Sequence, residues 1–85
     1  MSQSWFVYML RCRDGSLYTG VAVDVQRRLQ EHNGELGQGA RYTRSRRPVT
    51  LVYQETLTSR SAALKREAAI KKLSRTQKEQ LIMQC

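Results

Sequence analysis

The chain has 85 residues, enough for one domain, which we expect to span residues 1–85. Fifteen Lys and Arg against seven Asp and Glu give a formal net charge of +8. Such an excess attracts polyanions, and nucleic acid is the usual one for a compact basic domain. The longest apolar run, Trp5 to Leu10, is much shorter than the roughly 20 residues of a membrane span, and no basic signal-peptide segment precedes it. We therefore expect a soluble, cytoplasmic protein without a membrane partner.

The first twenty residues predict a β-hairpin. The run from Trp5 to about Cys12 is β-branched and aromatic and apolar on both faces, which is typical of a central strand. Residues 13–16 carry a turn signal, and residues 16–21 predict the second strand. The first of these two strands is predicted to lie at the centre of a small sheet.

The rest of the chain predicts three helices and one more strand. Asp24 is a good N-cap and Asn33-Gly34 a good stop, so a helix is expected between them. Residues 34–48 predict a mobile basic loop closed by Pro48, and residues 49–55 a third strand. Thr58-Ser59 can cap a helix over residues 60–73, and a capping box at residues 74–77 begins a short last helix. The order β-β-α-β-α-α predicts an α+β fold, a small three-stranded antiparallel sheet flanked by helices.

The residue counts exclude several catalytic chemistries. Cys12 and Cys85 form no CxxC pair, and one histidine, His32, cannot complete a Cys/His zinc site. The carboxylates are scattered without a DxD-type cluster, which argues against a two-metal site. No glycine-rich phosphate loop is present.

Tyr8 and Tyr18 lie on the two arms of the predicted hairpin, and the turn decides their geometry. A two-residue loop places the phenols on opposite sides of the sheet. A three-residue loop, with Gly15 in the left-handed position of a G1 bulge, pairs Tyr8 with Gly20 and puts both phenols on one face. In that register Gly20 leaves space beside Tyr8.

The pattern of Phe6-Val7-Tyr8, Tyr18-Thr19-Gly20, Arg28, His32 and Glu67 resembles the GIY-YIG nuclease family. The likeness covers nearly the whole chain and is closest to the small, single-domain bacterial members of uncharacterised function. Phe6 stands where the motif has its first glycine, and Val7 and Thr19 stand where it has isoleucine. These positions have backbone and packing roles, so the fold expectation is unaffected.

The resemblance implies a metal-dependent DNA endonuclease that hydrolyses a phosphodiester at one divalent ion, Mg²⁺ or Mn²⁺, and leaves a 5′-phosphate and a 3′-hydroxyl. We expect it to be weakly sequence-specific or structure-selective, in DNA repair or recombination. The alternative is a non-catalytic nucleic-acid-binding module that acts within a larger assembly. DNA is the expected partner, RNA is not separable from it, and a homodimer or a protein partner would supply specificity.

The catalytic roles follow from side-chain chemistry on this resemblance. Tyr18 is favoured as the general base with Tyr8 as its hydrogen-bonding companion, because a phenol needs a nearby cation to become a useful base. Arg28 would stabilise charge growing on the phosphate oxygens, and His32 would hold the phosphate or protonate the leaving oxygen. Glu67 offers a hard oxygen ligand for the metal.

Each of these residues also has a structural interpretation. Strand tyrosines usually belong to the core, and a histidine in the last turn of a helix can interact with the helix dipole. Glu67 precedes Lys71 at the i,i+4 spacing of a surface ion pair, although it also projects on the packing side of its helix. Gly15 and Gly20 are predicted to be structural.

A second group of residues is predicted to contact nucleic acid through phosphates, which gives affinity without sequence choice. The basic loop supplies most of them, and two lysines at the end of the second helix add to it. The predicted contacts are Arg27, Arg41, Tyr42, Arg44, Arg46, Arg47, Lys71 and Lys72.

Overall fold

The computed structural model describes residues 4–34 and 46–84. In these ranges, strands β1 (Trp5–Arg11), β2 (Leu17–Ala22) and β3 (Thr50–Leu57) form one antiparallel sheet in the order β2-β1-β3. Helices α1 (Val25–His32), α2 (Arg60–Lys71) and α3 (Arg75–Met83) flank it. The predicted α+β fold and the central position of the first strand are confirmed.

The hairpin between β1 and β2 adopts the three-residue loop. The Cys12 N–H donates to the Ser16 carbonyl, the Gly15 N–H donates to the Cys12 carbonyl, and Gly15 has a φ of +86°. Asp14 holds the turn by accepting from the Ser16 backbone and hydroxyl. A glycine is favoured at that φ because a Cβ would be strained there. The loop therefore sets the register in which Tyr8 lies opposite Gly20.

Helices cover both faces of the sheet, which explains why β1 is apolar on both sides. On one face, Tyr8, Leu10 and Cys12 pack with Val25 and the partly buried Leu29 of α1. The other face is covered by α2 and α3. Its buried residues are Val7, Met9, Tyr53, Ala63 and Ile70, with Leu81 and Ile82 packed against them.

The helix starts are fixed by the predicted caps. Asp24 accepts from the Arg27 N–H, and Ser59 accepts from the Ala62 N–H. Ser74 and Gln77 form the reciprocal capping box that was predicted for α3. The predicted strand over residues 49–55 and the predicted helix over 60–73 agree with the observed bounds to within two residues. The small differences arise because helix and strand ends are poorly fixed by local propensity.

Long-range side-chain bonds hold the end of α1 and the middle of α3. Asn33, which follows α1, donates to the Val49 carbonyl (3.1 Å) and accepts from the Val49 N–H (2.7 Å). The Arg11 guanidinium makes two bonds to the Glu79 carboxylate, at 2.9 and 2.5 Å, and so ties α3 to the central strand. Within the described ranges, no helix has both the length and the apolar character to cross a membrane.

Candidate functional site

The site is built around the Tyr8 phenol, which lies over Gly20 on the neighbouring strand. Antiparallel pairing of Tyr8 with Gly20 and of Leu10 with Tyr18 places both phenols on the α1 face, with ring centroids 6.4 Å apart. A Cβ at Gly20 would lie 2.6 Å from the Tyr8 hydroxyl oxygen and 3.1 Å from the Tyr18 Cε2. The absence of a side chain at Gly20 therefore makes room for the tyrosine pair.

His32, in the last turn of α1, contacts both tyrosines. Its side chain is 0% exposed, its Nε2 lies 3.0 Å from the Tyr8 hydroxyl oxygen, and its ring centroid lies 4.9 Å from that of Tyr18. Burial, and next the positive charge of Arg28, lower the pKa of His32 from 6.5 to about 4. The imidazole is therefore uncharged at neutral pH, and a charged interaction with the helix dipole is not available to it.

Arg28 lies one turn before His32 on α1 and reaches the same phenol. Its Nη1 donates to the Glu31 carboxylate at 2.8 Å, and this hydrogen bond raises the pKa of the guanidinium. The charge of Arg28 also acts on Tyr8, where it partly offsets the rise in pKa that burial causes. Glu31 was not among the residues predicted from the sequence, although the i,i+3 spacing from Arg28 is a signal that would have found it.

The Tyr8 phenol is held in its protonated form. The residue is 1% exposed, and burial, followed by the proximity of Tyr18, raises its pKa above the ordinary value of 10. The Arg28 guanidinium opposes that rise, and the negative charge of Glu67 adds to it. Tyr18 is only partly buried. Tyr8 is thus suited to donate a hydrogen bond, and Tyr18 is the more accessible of the two phenols.

Glu67 brings a carboxylate from α2 to this cluster. Its side chain is 21% exposed and forms an ion pair with Lys71 at 3.5 Å, so the predicted i,i+4 pair is present. On either side of it along the helix, Ala63 and Ile70 are fully buried. The described ranges hold no group of three or more His, Cys, Asp and Glu side chains arranged for a metal. Within the described residues, Glu67 could therefore supply one carboxylate ligand to a metal ion, but not a complete set of protein ligands.

The residues predicted to contact nucleic acid fall into three sets. Arg27, Lys71 and Lys72 are exposed. Arg46 and Arg47 are half-buried and have structural partners: Arg46 pairs with Asp14 at 3.2 Å, and the Arg47 Nε donates to the His32 carbonyl at 2.7 Å. Arg47, not His32, thus caps the end of α1. The third set, Arg41, Tyr42 and Arg44, lies outside the described residues.

The three-stranded antiparallel sheet with its three helices is the fold that the resemblance to the GIY-YIG family implied. The family model described as the GIY-YIG catalytic domain matches residues 4–80, and the chain belongs to the GIY-YIG family, which is a nuclease family.

Close relatives and solved structures agree with this assignment. A UPF0213 protein of Desulfotalea psychrophila is 58% identical over 79 residues, which are 93% of this chain and 71% of that protein. A UPF0213 protein of Staphylococcus epidermidis is 57% identical over 93% of this chain and 94% of its own length. The solution NMR structure of an E. faecalis protein has a TM-score of 0.65 and 46% identity, and covers 99% of this chain and 90% of that one. The chain is therefore similar to small bacterial proteins whose names state no activity.

Proposed function

We propose that this protein is a divalent-metal-dependent endonuclease that hydrolyses phosphodiester bonds in DNA, with weak sequence specificity or selectivity for branched or unpaired structures. The observation that carries the proposal is the convergence on the Tyr8 hydroxyl of Tyr18, Arg28, His32 and Glu67. Metal-dependent phosphodiester hydrolysis requires a group that accepts a proton from water, a cation that stabilises the phosphate, and a hard oxygen ligand for the metal.

The two phenols divide the acid–base work. The hydroxyl of the protonated Tyr8 hydrogen-bonds with His32 Nε2 at 3.0 Å, so its orientation is fixed. Tyr18, more accessible and beside it, is the residue placed to receive a proton from the attacking water, once its own phenol proton has passed to solvent. The water oxygen then bonds to phosphorus, the bond from phosphorus to the 3′ oxygen breaks, and that oxygen takes a proton from a solvent water and leaves as a hydroxyl. This assignment gives His32 an orienting role in preference to the two roles expected from the sequence, because an uncharged imidazole holds a phosphate poorly.

Arg28 is placed to stabilise the phosphate in the transition state. Glu31 engages its Nη1, which restricts the guanidinium and still leaves other N–H groups for an anion. A guanidinium held in advance costs less reorganisation when charge develops on the phosphate oxygens.

The residues present fit Mg²⁺ or Mn²⁺ held by few protein groups. Mg²⁺ commonly binds through one or two carboxylates and keeps several waters, and Glu67 supplies one partly exposed carboxylate whose charge is felt at Tyr8. When bound there, such an ion would contribute positive charge to the developing phosphorane-like centre. Lys71, the present partner of Glu67, would then have to turn towards solvent or towards a DNA phosphate.

The exposed cations Arg27, Lys71 and Lys72 are proposed to contact the phosphate backbone, helped by the net charge of +8. Arg41, Tyr42 and Arg44 are proposed as further contacts on sequence grounds. Binding through phosphates predicts a steep loss of affinity with salt and little choice of sequence.

The proposal is tested with a panel of duplex, single-stranded, flapped and branched DNA under titration with Mg²⁺ and Mn²⁺. Tyr18→Phe is expected to reduce cleavage by roughly 10²- to 10⁴-fold, the range for losing a general base. Tyr53→Phe is the matched control, because Tyr53 is a core tyrosine on the other face of the sheet that donates to Glu55. Equal effects of the two substitutions would contradict the assignment of Tyr18.

Glu67→Gln tests the metal ligand separately. We expect it to abolish metal-dependent cleavage and to leave salt-sensitive DNA binding in EDTA intact. Glu55→Gln is the control, since Glu55 is a carboxylate that pairs with Arg66 outside the site. Retained nicking by Glu67→Gln in Mg²⁺ would refute the metal role.

The second candidate function is a non-catalytic nucleic-acid-binding module. The Glu67–Lys71 ion pair favours it, because the pair satisfies the carboxylate without a metal. Salt-sensitive binding without cleavage of any substrate at any metal concentration would support this alternative.

A further inference from the structure

An open groove of about 470 Å³ lies at the start of α1. It is lined by Phe6, Val23, Asp24, Val25, Gln26 and Gln54. The role of this groove is not accounted for by the proposed hydrolysis, which uses side chains nearer the end of α1. Its volume is in the range of small-ligand sites, and its lining combines apolar and amide side chains.

The groove and the tyrosine pair share one face of the sheet. Side chains on a strand alternate between faces, so Phe6 and Tyr8 lie on the same side of β1, roughly 6.6 Å apart along the strand. Gln54 on β3 lies directly opposite Tyr8, and Phe6 packs against the buried cluster that contains Tyr8. Phe6 and Gln54 are therefore the groove residues nearest to Tyr8 along the sheet.

The lining chemistry matches a nucleobase. Phe6 is partly buried and offers a ring, which a glycine at that position would not supply. Val23 and Val25 add apolar wall, and the exposed Gln54 and Gln26 offer amides that can both donate to and accept from a base edge. Asp24 adds an acceptor suited to an exocyclic amino group, and its negative charge disfavours a phosphate there. A flat, hydrogen-bonding heterocycle fits this combination better than a phosphate does.

We propose that this groove holds one unpaired nucleobase of a DNA strand whose neighbouring phosphate lies at the tyrosine pair. This inference deepens the proposed function and rests on it for the position of the phosphate. A base inside a duplex is stacked and paired, and it can enter such a groove only after it has left the helix. Single strands, flaps and frayed ends are therefore the substrate class that the groove selects.

The test measures binding in EDTA, so that it does not depend on cleavage. Fluorescence anisotropy of the full chain compares a labelled single-stranded oligodeoxynucleotide, the same strand in a blunt duplex, and an abasic oligomer of equal length and charge. We expect the single strand to bind most tightly. Phe6→Leu, which keeps an apolar side chain but removes the ring, should weaken single-strand binding about tenfold, as expected for losing one base–aromatic stack, and leave the abasic oligomer unaffected.

Gln54→Ala is the second variant, because an exposed strand residue can be replaced with little effect on folding. Gln80→Ala is its matched control, an exposed glutamine on α3. Gln54→Ala should weaken single-strand binding several-fold, and Gln80→Ala should not.

The inference is overturned if both groove variants bind the single strand like the parent protein, or if the abasic oligomer binds as tightly as the base-bearing strand. Failure of the nuclease proposal is read from the cleavage panel, which is a separate measurement. Groove-dependent binding without cleavage would support the base-binding groove and contradict the nuclease proposal. Cleavage without groove dependence would support the nuclease proposal and contradict the base-binding groove.

Discussion

The buried His32 makes the stability of this domain depend on pH in a way that can be calculated. Its pKa is about 4 in the folded protein and 6.5 in the unfolded chain. Between these values the unfolded state binds the proton and the folded state does not, so stability is fully present above pH 6.5 and falls as the pH drops towards 4. The difference amounts to about 3 kcal/mol, of which about 2 kcal/mol is lost between pH 7 and pH 4.5.

Urea unfolding at a series of pH values measures this loss, and NMR titration measures the pKa directly. His32 is the one histidine in the chain, so its imidazole proton signals need no assignment among competitors. The control is His32→Gln, which cannot titrate in this range. Its absolute stability will differ, but the steep fall between pH 6.5 and pH 4.5 should disappear from its profile.

Two outcomes would refute this reasoning about His32. One is an NMR titration midpoint near 6.5 in the folded protein, which would mean that the ring is hydrated. The other is the same pH profile of unfolding free energy in the parent protein and in His32→Gln, which would assign the acid sensitivity to carboxylates.

Three further substitutions test Gly20, the hairpin turn and the charges around His32. Gly20→Ala introduces a Cβ 2.6 Å from the Tyr8 hydroxyl oxygen, so the phenol must move to restore a contact of at least 3.4 Å. We expect the unfolding free energy to fall by about 1–3 kcal/mol and cleavage to become roughly 10²-fold slower. Gly15→Ala, strained at a φ of +86° in the turn, should lower the melting temperature without slowing cleavage below it, and equal slowing in both variants would contradict the steric argument. Glu31→Gln should lower the pKa of His32 further, because the Glu31 carboxylate is a charge that raises it; an upward shift of the NMR midpoint would contradict the placement of these groups.

The sequence predicted those features that depend on near neighbours in the chain. Asp24 and Ser74 mark helix starts because capping is a contact over three residues, and both caps are present. The sequence leaves two registers open for the hairpin, because the turn signal at Asp14-Gly15 fits either loop length. Only the backbone of Gly15, together with the pairing of Tyr8 with Gly20, decides between them.

The sequence did not predict the contacts that join distant segments. The phosphate contact predicted for Arg47 stays a prediction, but the sequence did not predict that the Arg47 Nε donates to the carbonyl of His32, fifteen residues earlier. The bond from Tyr8 to His32 crosses 24 residues and requires the packing of α1 on the sheet. No local spacing encodes such a contact, and so the electrostatic state of the histidine could not be predicted.

The clamp between the end of α1 and the start of β3 also has a consequence for engineering. Asn33 holds both backbone groups of Val49, and the Arg13 N–H donates to the Arg46 carbonyl, so both sides of positions 35–45 are anchored to the rest of the domain. Lengthening a connection whose ends are already anchored costs little free energy, because closure entropy grows only slowly with length. A sequence-reading peptide or a whole DNA-binding module inserted there should therefore leave the tyrosine pair undisturbed and give the proposed nuclease a chosen target.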